Sequence, residues 1–117
     1  MSATLIDGKL LSAEIRSAIK ADASEFEDRY GRKIGLAVIL AGDDPASKIY
    51  VRNKISACEE TGIRSFEYYL PATVTTEELI ELVEAVNRDD NIDGLLVQLP
   101  LPSGVDESAV LLSLIHI

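Results

Sequence analysis

The sequence predicts an α/β fold in three layers, a small parallel sheet held between helices. Two short segments, residues 34–40 and 94–97, are apolar and uninterrupted, which suits strands covered on both faces. Stretches with helical apolar spacing alternate with the strands three times along the chain. The connections between them are only a few residues long, so successive strands are expected to join one parallel sheet through helical crossovers. With 117 residues, the chain has material for a single core.

From Gly8 to Tyr30 the residues Leu11, Ile15, Ala18, Ile19, Phe26 and Tyr30 recur at helical spacing, with Asp7 as the expected N-cap and Gly31 as the stop. Ile34–Leu40 is the first strand, ended by Ala-Gly-Asp-Asp-Pro. Asp44-Pro45 is an N-cap followed by proline at the first helical position, where the missing N–H costs nothing, and the second helix runs to Gly62. Phe66, Tyr68 and Leu70 alternate along a second strand over Ile63–Leu70, closed by Pro71. Thr75-Thr-Glu-Glu78 is a capping box, and Leu79, Leu82, Val83 and Val86 form the buried stripe of a third helix. Gly94–Val97 is the third strand, and Gln98-Leu-Pro-Leu-Pro102 fixes an extended loop after it.

The balance of 20 acidic against 11 basic residues, a net charge of -9, argues against a surface for nucleic-acid phosphates. The single cysteine, Cys58, allows no intramolecular disulfide and no cysteine-based zinc motif, which fits a reducing, cytoplasmic setting. No stretch approaches the roughly 20 apolar residues of a membrane span, and the first residues do not read as a secretory signal. His116 is the only histidine, so histidine-based triads and metal sites have no material, and no metal is expected. Neither of the familiar glycine-rich phosphate loops occurs.

In a sheet of this kind ligands bind beyond the carboxyl ends of the strands, so the segments to search are 41–50, 71–75 and 98–102. Ser47, Tyr50 and Lys54 stand at i, i+3 and i+7 and share one side of the second helix. A phenol that stacks and an ammonium that polarises an oxygen or relays a proton form a useful pair for a flat heteroaromatic substrate. The plainer alternative is a solvated lysine beside a packing tyrosine. Gln98, at the end of a buried strand in a proline-stiffened loop, can orient a polar ligand through one donor and one acceptor, or it can simply cap the strand. Asp43 and Asp44 are paired carboxylates, but Asp44 has a helix to cap. Cys58 falls on the apolar side of its helix and reads as an inert thiol.

The blocks Leu40-Ala-Gly-Asp-Asp-Pro-Ala-Ser-Lys-Ile-Tyr-Val-Arg-Asn-Lys54, Ala57-Cys-Glu-Glu-Thr-Gly-Ile63 and Asp93-Gly-Leu-Leu-Val-Gln-Leu-Pro-Leu-Pro102, with Ile6-Asp-Gly-Lys9, resemble the bifunctional methylenetetrahydrofolate dehydrogenase/methenyltetrahydrofolate cyclohydrolase family. The resemblance runs from about residue 4 to about residue 110 and implies the N-terminal catalytic domain of a two-domain enzyme. It implies hydride transfer from the methylene bridge of a tetrahydrofolate to NADP, then hydrolysis of the methenyl cation to 10-formyltetrahydrofolate in one-carbon metabolism. On this resemblance Lys54 is the general acid/base, Gln98 holds Lys54 and the substrate in register, and Tyr50 stacks on the aminobenzoate ring. Leu99 and Pro100 line the pterin pocket, with Ser47 nearby. The family's Rossmann domain, which holds NADP, and much of its homodimer interface lie outside this chain. Hence residues 1–110 are expected to be the folate-binding catalytic domain, inactive alone as a dehydrogenase. Residues 111–117 depart from the family's continuation and are expected to be an aberrant or truncated tail.

Two other readings compete. One is an acidic phospho-acceptor receiver domain, favoured only by Asp43 and Asp44 and opposed by Gln98, which stands where a receiver needs an aspartate. The other is a non-catalytic fragment.

Overall fold

The structure, a computed structural model, describes residues 8–115, with side chains from Ile15 to Leu114. The Asp7 cap, Ile6, the Leu11 side chain and His116 lie outside the described residues. Four helices and three strands alternate: α1 (Gly8–Tyr30), β1 (Gly35–Ala41), α2 (Pro45–Thr61), β2 (Arg64–Leu70), α3 (Thr76–Asn87), β3 (Gly94–Val97) and α4 (Glu107–Ile115). The strands form one parallel sheet in the order β2-β1-β3, with Ile39 opposite Tyr68 on one side and Val97 on the other.

The unbroken apolar run of β1 is explained by its central place. Ile39 and Ala41 face Leu79, Val83 and Val110 of α3 and α4, while Val38 and Leu40 face Val51 of α2, so both faces are covered. β2 is an edge strand with one face in the core. Tyr68 and Leu70 pack inward while Glu67 and Tyr69 are exposed, which is the alternation seen in the sequence. The capping box forms as expected, the Thr75 hydroxyl accepting from the Glu78 N–H at 3.1 Å and the Glu78 carboxylate from the Thr75 N–H at 3.2 Å.

Two features go beyond the sequence reading. Where its side chains are described, the apolar spacing of α1 is largely uncovered: Ile15, Ile19 and Tyr30 are 50%, 39% and 62% exposed, while Ala23 is buried. Periodicity tells which residues share a face, not whether anything covers it. α1 leans on α2, where Arg16 meets Glu60 at 3.4 Å. The second is α4, a fourth helix after the proline loop that the sequence reading did not include. Asp106 begins it, accepting from the Ala109 N–H at 3.2 Å, and Val110 is completely buried. Residues 111–115, set apart above as a tail, continue this helix.

At the amino ends of the strands, Arg32 and Asp93 form a two-pronged ion pair, both N···O distances 2.8 Å, and Asp93 also accepts from the Gly35 N–H at 2.9 Å. The Arg32 hydrogen bonds, aided by the Gly35 N–H, hold the Asp93 carboxyl down at about 2, against an ordinary 3.8. Because the folded value lies below the unfolded one, this stabilisation is full above about pH 5 and is lost as the pH falls towards 2. We expect Asp93→Asn to lower stability at neutral pH by about 1 kcal/mol, a figure reduced for the pair's partial exposure. The deficit should shrink below pH 4. Thermal melts of both proteins across this range check it, and a deficit independent of pH would remove the pair from the account.

Candidate active site

The carboxyl edge of the sheet is assembled by short backbone links. After β1 the Gly42 N–H donates to the Leu70 carbonyl at 2.9 Å, tying the turn to the end of β2. Asp44 then caps α2, its carboxylate accepting from the N–H groups of Ala46 at 2.9 Å and Ser47 at 3.2 Å. On the other side of β1 the Gln98 N–H donates to the Ile39 carbonyl at 2.9 Å, so Gln98 emerges from the sheet beside α2.

The two candidate chemical groups meet there. Lys54 Nζ donates to Gln98 Oε1 at 2.6 Å, and Gln98 Nε2 donates to the Leu99 carbonyl at 2.8 Å. An ammonium only donates, so it fixes which end of the amide faces it, and the amide nitrogen is left to hold the loop. Gln98 is 8% exposed and Lys54 half-buried. The partner of Lys54 is a neutral amide, so its charge remains available to a ligand. Tyr50, one turn earlier on α2, is 54% exposed, and across the pair Leu99 is 40% exposed and Pro100 is exposed as well. Together they offer apolar surface on both sides of one cation.

Ser47 is placed differently from the sequence expectation. It is 1% exposed, turned into the sheet, and its Oγ has no hydrogen-bond partner among the described residues. Lys54 shares that side of α2, but its long stem carries the ammonium out to the edge of the sheet while the short serine side chain ends in the core. Asp43 pairs with Lys48 at 3.6 Å, and no group of three metal-binding side chains occurs among the described residues. Cys58 is buried, and that burial, with the charge of Glu59, pushes its thiol up, away from the reactive thiolate. A groove of about 610 Å³ runs along the opposite flank of α2 between Arg52, Glu59, Glu67 and Tyr69, and includes none of Tyr50, Lys54 and Gln98. Polar pairing, rather than this groove, marks the site.

The sequence profile of the tetrahydrofolate dehydrogenase/cyclohydrolase catalytic domain matches residues 6–116. The chain belongs to this family. Within it, the bifunctional protein FolD of Koribacter versatilis is 51% identical over 113 residues, covering 97% of this chain and 36% of the relative. The FolD methylenetetrahydrofolate dehydrogenase/cyclohydrolase of Campylobacter jejuni superposes with a TM-score of 0.89 at 45% identity, covering 97% of this chain and 40% of that one. The Trypanosoma brucei enzyme, solved with NADP cofactor and inhibitor, superposes at 0.88 with 36% identity, covering 97% of this chain and 39% of that one. The chain thus spans well under half the length of these members of the tetrahydrofolate dehydrogenase/cyclohydrolase family. Membership sets the receiver reading aside, in agreement with Gln98, not an aspartate, directly after the third strand.

No helix start at the carboxyl edge is open, among the described residues, to a dinucleotide such as the NADP bound by the Trypanosoma brucei enzyme. A pyrophosphate needs free N–H groups at a helix start. Each helix that begins at the carboxyl edge is already capped by a carboxylate of this chain: α2 by Asp44, α3 by the Thr75–Glu78 box and α4 by Asp106. Those carboxylates would also repel phosphate.

Proposed function

We propose that this chain is the folate-binding catalytic part of a bifunctional 5,10-methylenetetrahydrofolate dehydrogenase and 5,10-methenyltetrahydrofolate cyclohydrolase. The observation that carries the reading is the 2.6 Å bond between Lys54 and Gln98, set between the exposed faces of Tyr50 and Leu99-Pro100. A tetrahydrofolate is flat and amphipathic. Its aminobenzoate ring stacks on Tyr50, its pterin lies against Leu99 and Pro100, and its one-carbon bridge falls near Lys54.

Hydrolysis of the methenyl cation adds water to the bridging carbon with loss of a proton. The bond from that carbon to N5 then breaks as N5 is protonated and the carbinol O–H gives up its proton, leaving the formyl group on N10, with one proton released to solvent overall. Lys54, an ammonium, is the group placed to give a proton to N5 and then, as the amine, to take one from the carbinol O–H, while Gln98 holds its Nζ against drift. Hydride transfer to NADP belongs to a domain outside this chain. We assign this chain to the folate domain, and homodimer formation in the cytoplasm to the longer enzyme.

Folic acid titrated into the 117-residue chain while its melting temperature is followed tests the reading. A rise of about 5 °C is expected at ten times the dissociation constant. It should be strongly reduced in Gln98→Ala. No shift at millimolar folic acid would overturn the proposal.

A further inference from the structure

We propose that Gly42 is a positioning residue for the Lys54–Gln98 pair. The two partners lie on separate pieces of chain: Lys54 on α2, which grows from the Gly42–Asp44 turn, and Gln98 at the head of the loop that ends at Pro102. Their 2.6 Å bond therefore depends on how the turn and the loop sit against each other. Gly42 is where they touch. Its φ is +92°, a region that side chains avoid, and a Cβ there would lie 3.5 Å from Cγ of Pro102 and 3.9 Å from Cβ of Ala72.

The loops that follow all three strands thus converge on one residue without a side chain. The Gly42 N–H is tied to Leu70, and Leu101, beside Pro102, is buried in the core with Ile39 and Val97. Pro102 can consequently move neither inward nor along the sheet, and its ring rests where a side chain of residue 42 would stand. A methyl-sized Cβ would be in ordinary contact there. The branched carbons of valine would reach further and lift the loop that carries Gln98 away from α2.

The inference goes beyond the folate reading in its structural part and rests on that reading only for ligand affinity. The test follows the side-chain amide resonance of Gln98, recognised by its loss in Gln98→Ala. Lys54→Met defines where that resonance lies without the lysine. Gly42→Val is expected to move it towards that position and to weaken folic acid binding about fivefold. In the Gln98→Ala background the same substitution should have almost no further effect on affinity. Val83→Ala, in the core on the other face of the sheet, controls for lost stability and should leave the resonance in place. Gly42→Ala and Pro102→Gly give smaller shifts of the amide if the valine variant does not fold. An unmoved amide in the folded Gly42 variants, or an equal shift in Val83→Ala, overturns the proposal. A wild-type chain that ignores folic acid while the amide still responds to Gly42 would sink the folate reading and leave the positioning role standing.

Discussion

Lys54→Met is expected to cut methenyltetrahydrofolate hydrolysis by about 10²- to 10⁴-fold, the range for loss of a positioned general acid or base. The assay uses a chimera that completes this chain with the remaining length of a family member, with formation of 10-formyltetrahydrofolate as the readout. Methionine keeps the length and the apolar stem of lysine, so the contacts along α2 survive. Gln98 Oε1 loses its donor, and that half-buried acceptor costs about 1 kcal/mol of stability at most. Activity should therefore fall far more than stability. In terms of rate constants, kcat should drop while KM changes little, because stacking on Tyr50 and the contacts of Leu99 and Pro100 remain. Gln98→Ala should lose less than Lys54→Met, since the ammonium stays on its helix but no longer has its anchor. Hydrolysis within about threefold of the wild type in Lys54→Met would take the lysine out of the chemistry.

Gly35→Ala is expected to destabilise the domain by about 3 kcal/mol, at the upper end of the cost of overpacking. Glycine inside a strand normally weakens it, so the sequence alone predicts that alanine would help. The structure reverses the sign. A Cβ at residue 35 would overlap the backbone carbonyl of Asn91 and come within 3.0 Å of the Phe66 ring. The Asn91 backbone cannot retreat, because the Asp93 N–H donates to the Gly35 carbonyl at 2.7 Å and the Asp93 side chain holds both the Gly35 N–H and Arg32. Urea denaturation of the variant measures the loss, and an unchanged or raised midpoint would contradict the packing described.

Much of the fold was legible because its signals are local. The apolar run of β1, the Asp44-Pro45 start of α2 and the Thr75–Glu78 box each encode a feature within a few residues, and each forms as read. The α4 helix was hidden because its apolar residues follow two prolines and its cap, Asp106, is held by Thr76 across 30 positions of sequence. The spacing in α1 told that a helix forms but not whether it is covered, since a face can be apolar without an element against it. At the site, the residue types and the motif blocks pointed to Tyr50, Lys54 and Gln98, while the burial of Ser47 depends on what packs against the start of α2, which spacing along the helix does not contain.

By itself the sequence determined the order of the first six elements, the family and the candidate residues for the chemistry, because periodicity, caps and motifs act over a few positions and survive without a partner. Only the tertiary structure decided that Lys54 meets Gln98, that Arg32 clasps Asp93 from 61 residues away, that Gly35 has no room for a side chain, and that Gly42 lies against Pro102. Those outcomes depend on where separate segments come to rest against one another. Close contact is a property of distances in space, and a linear pattern does not contain them.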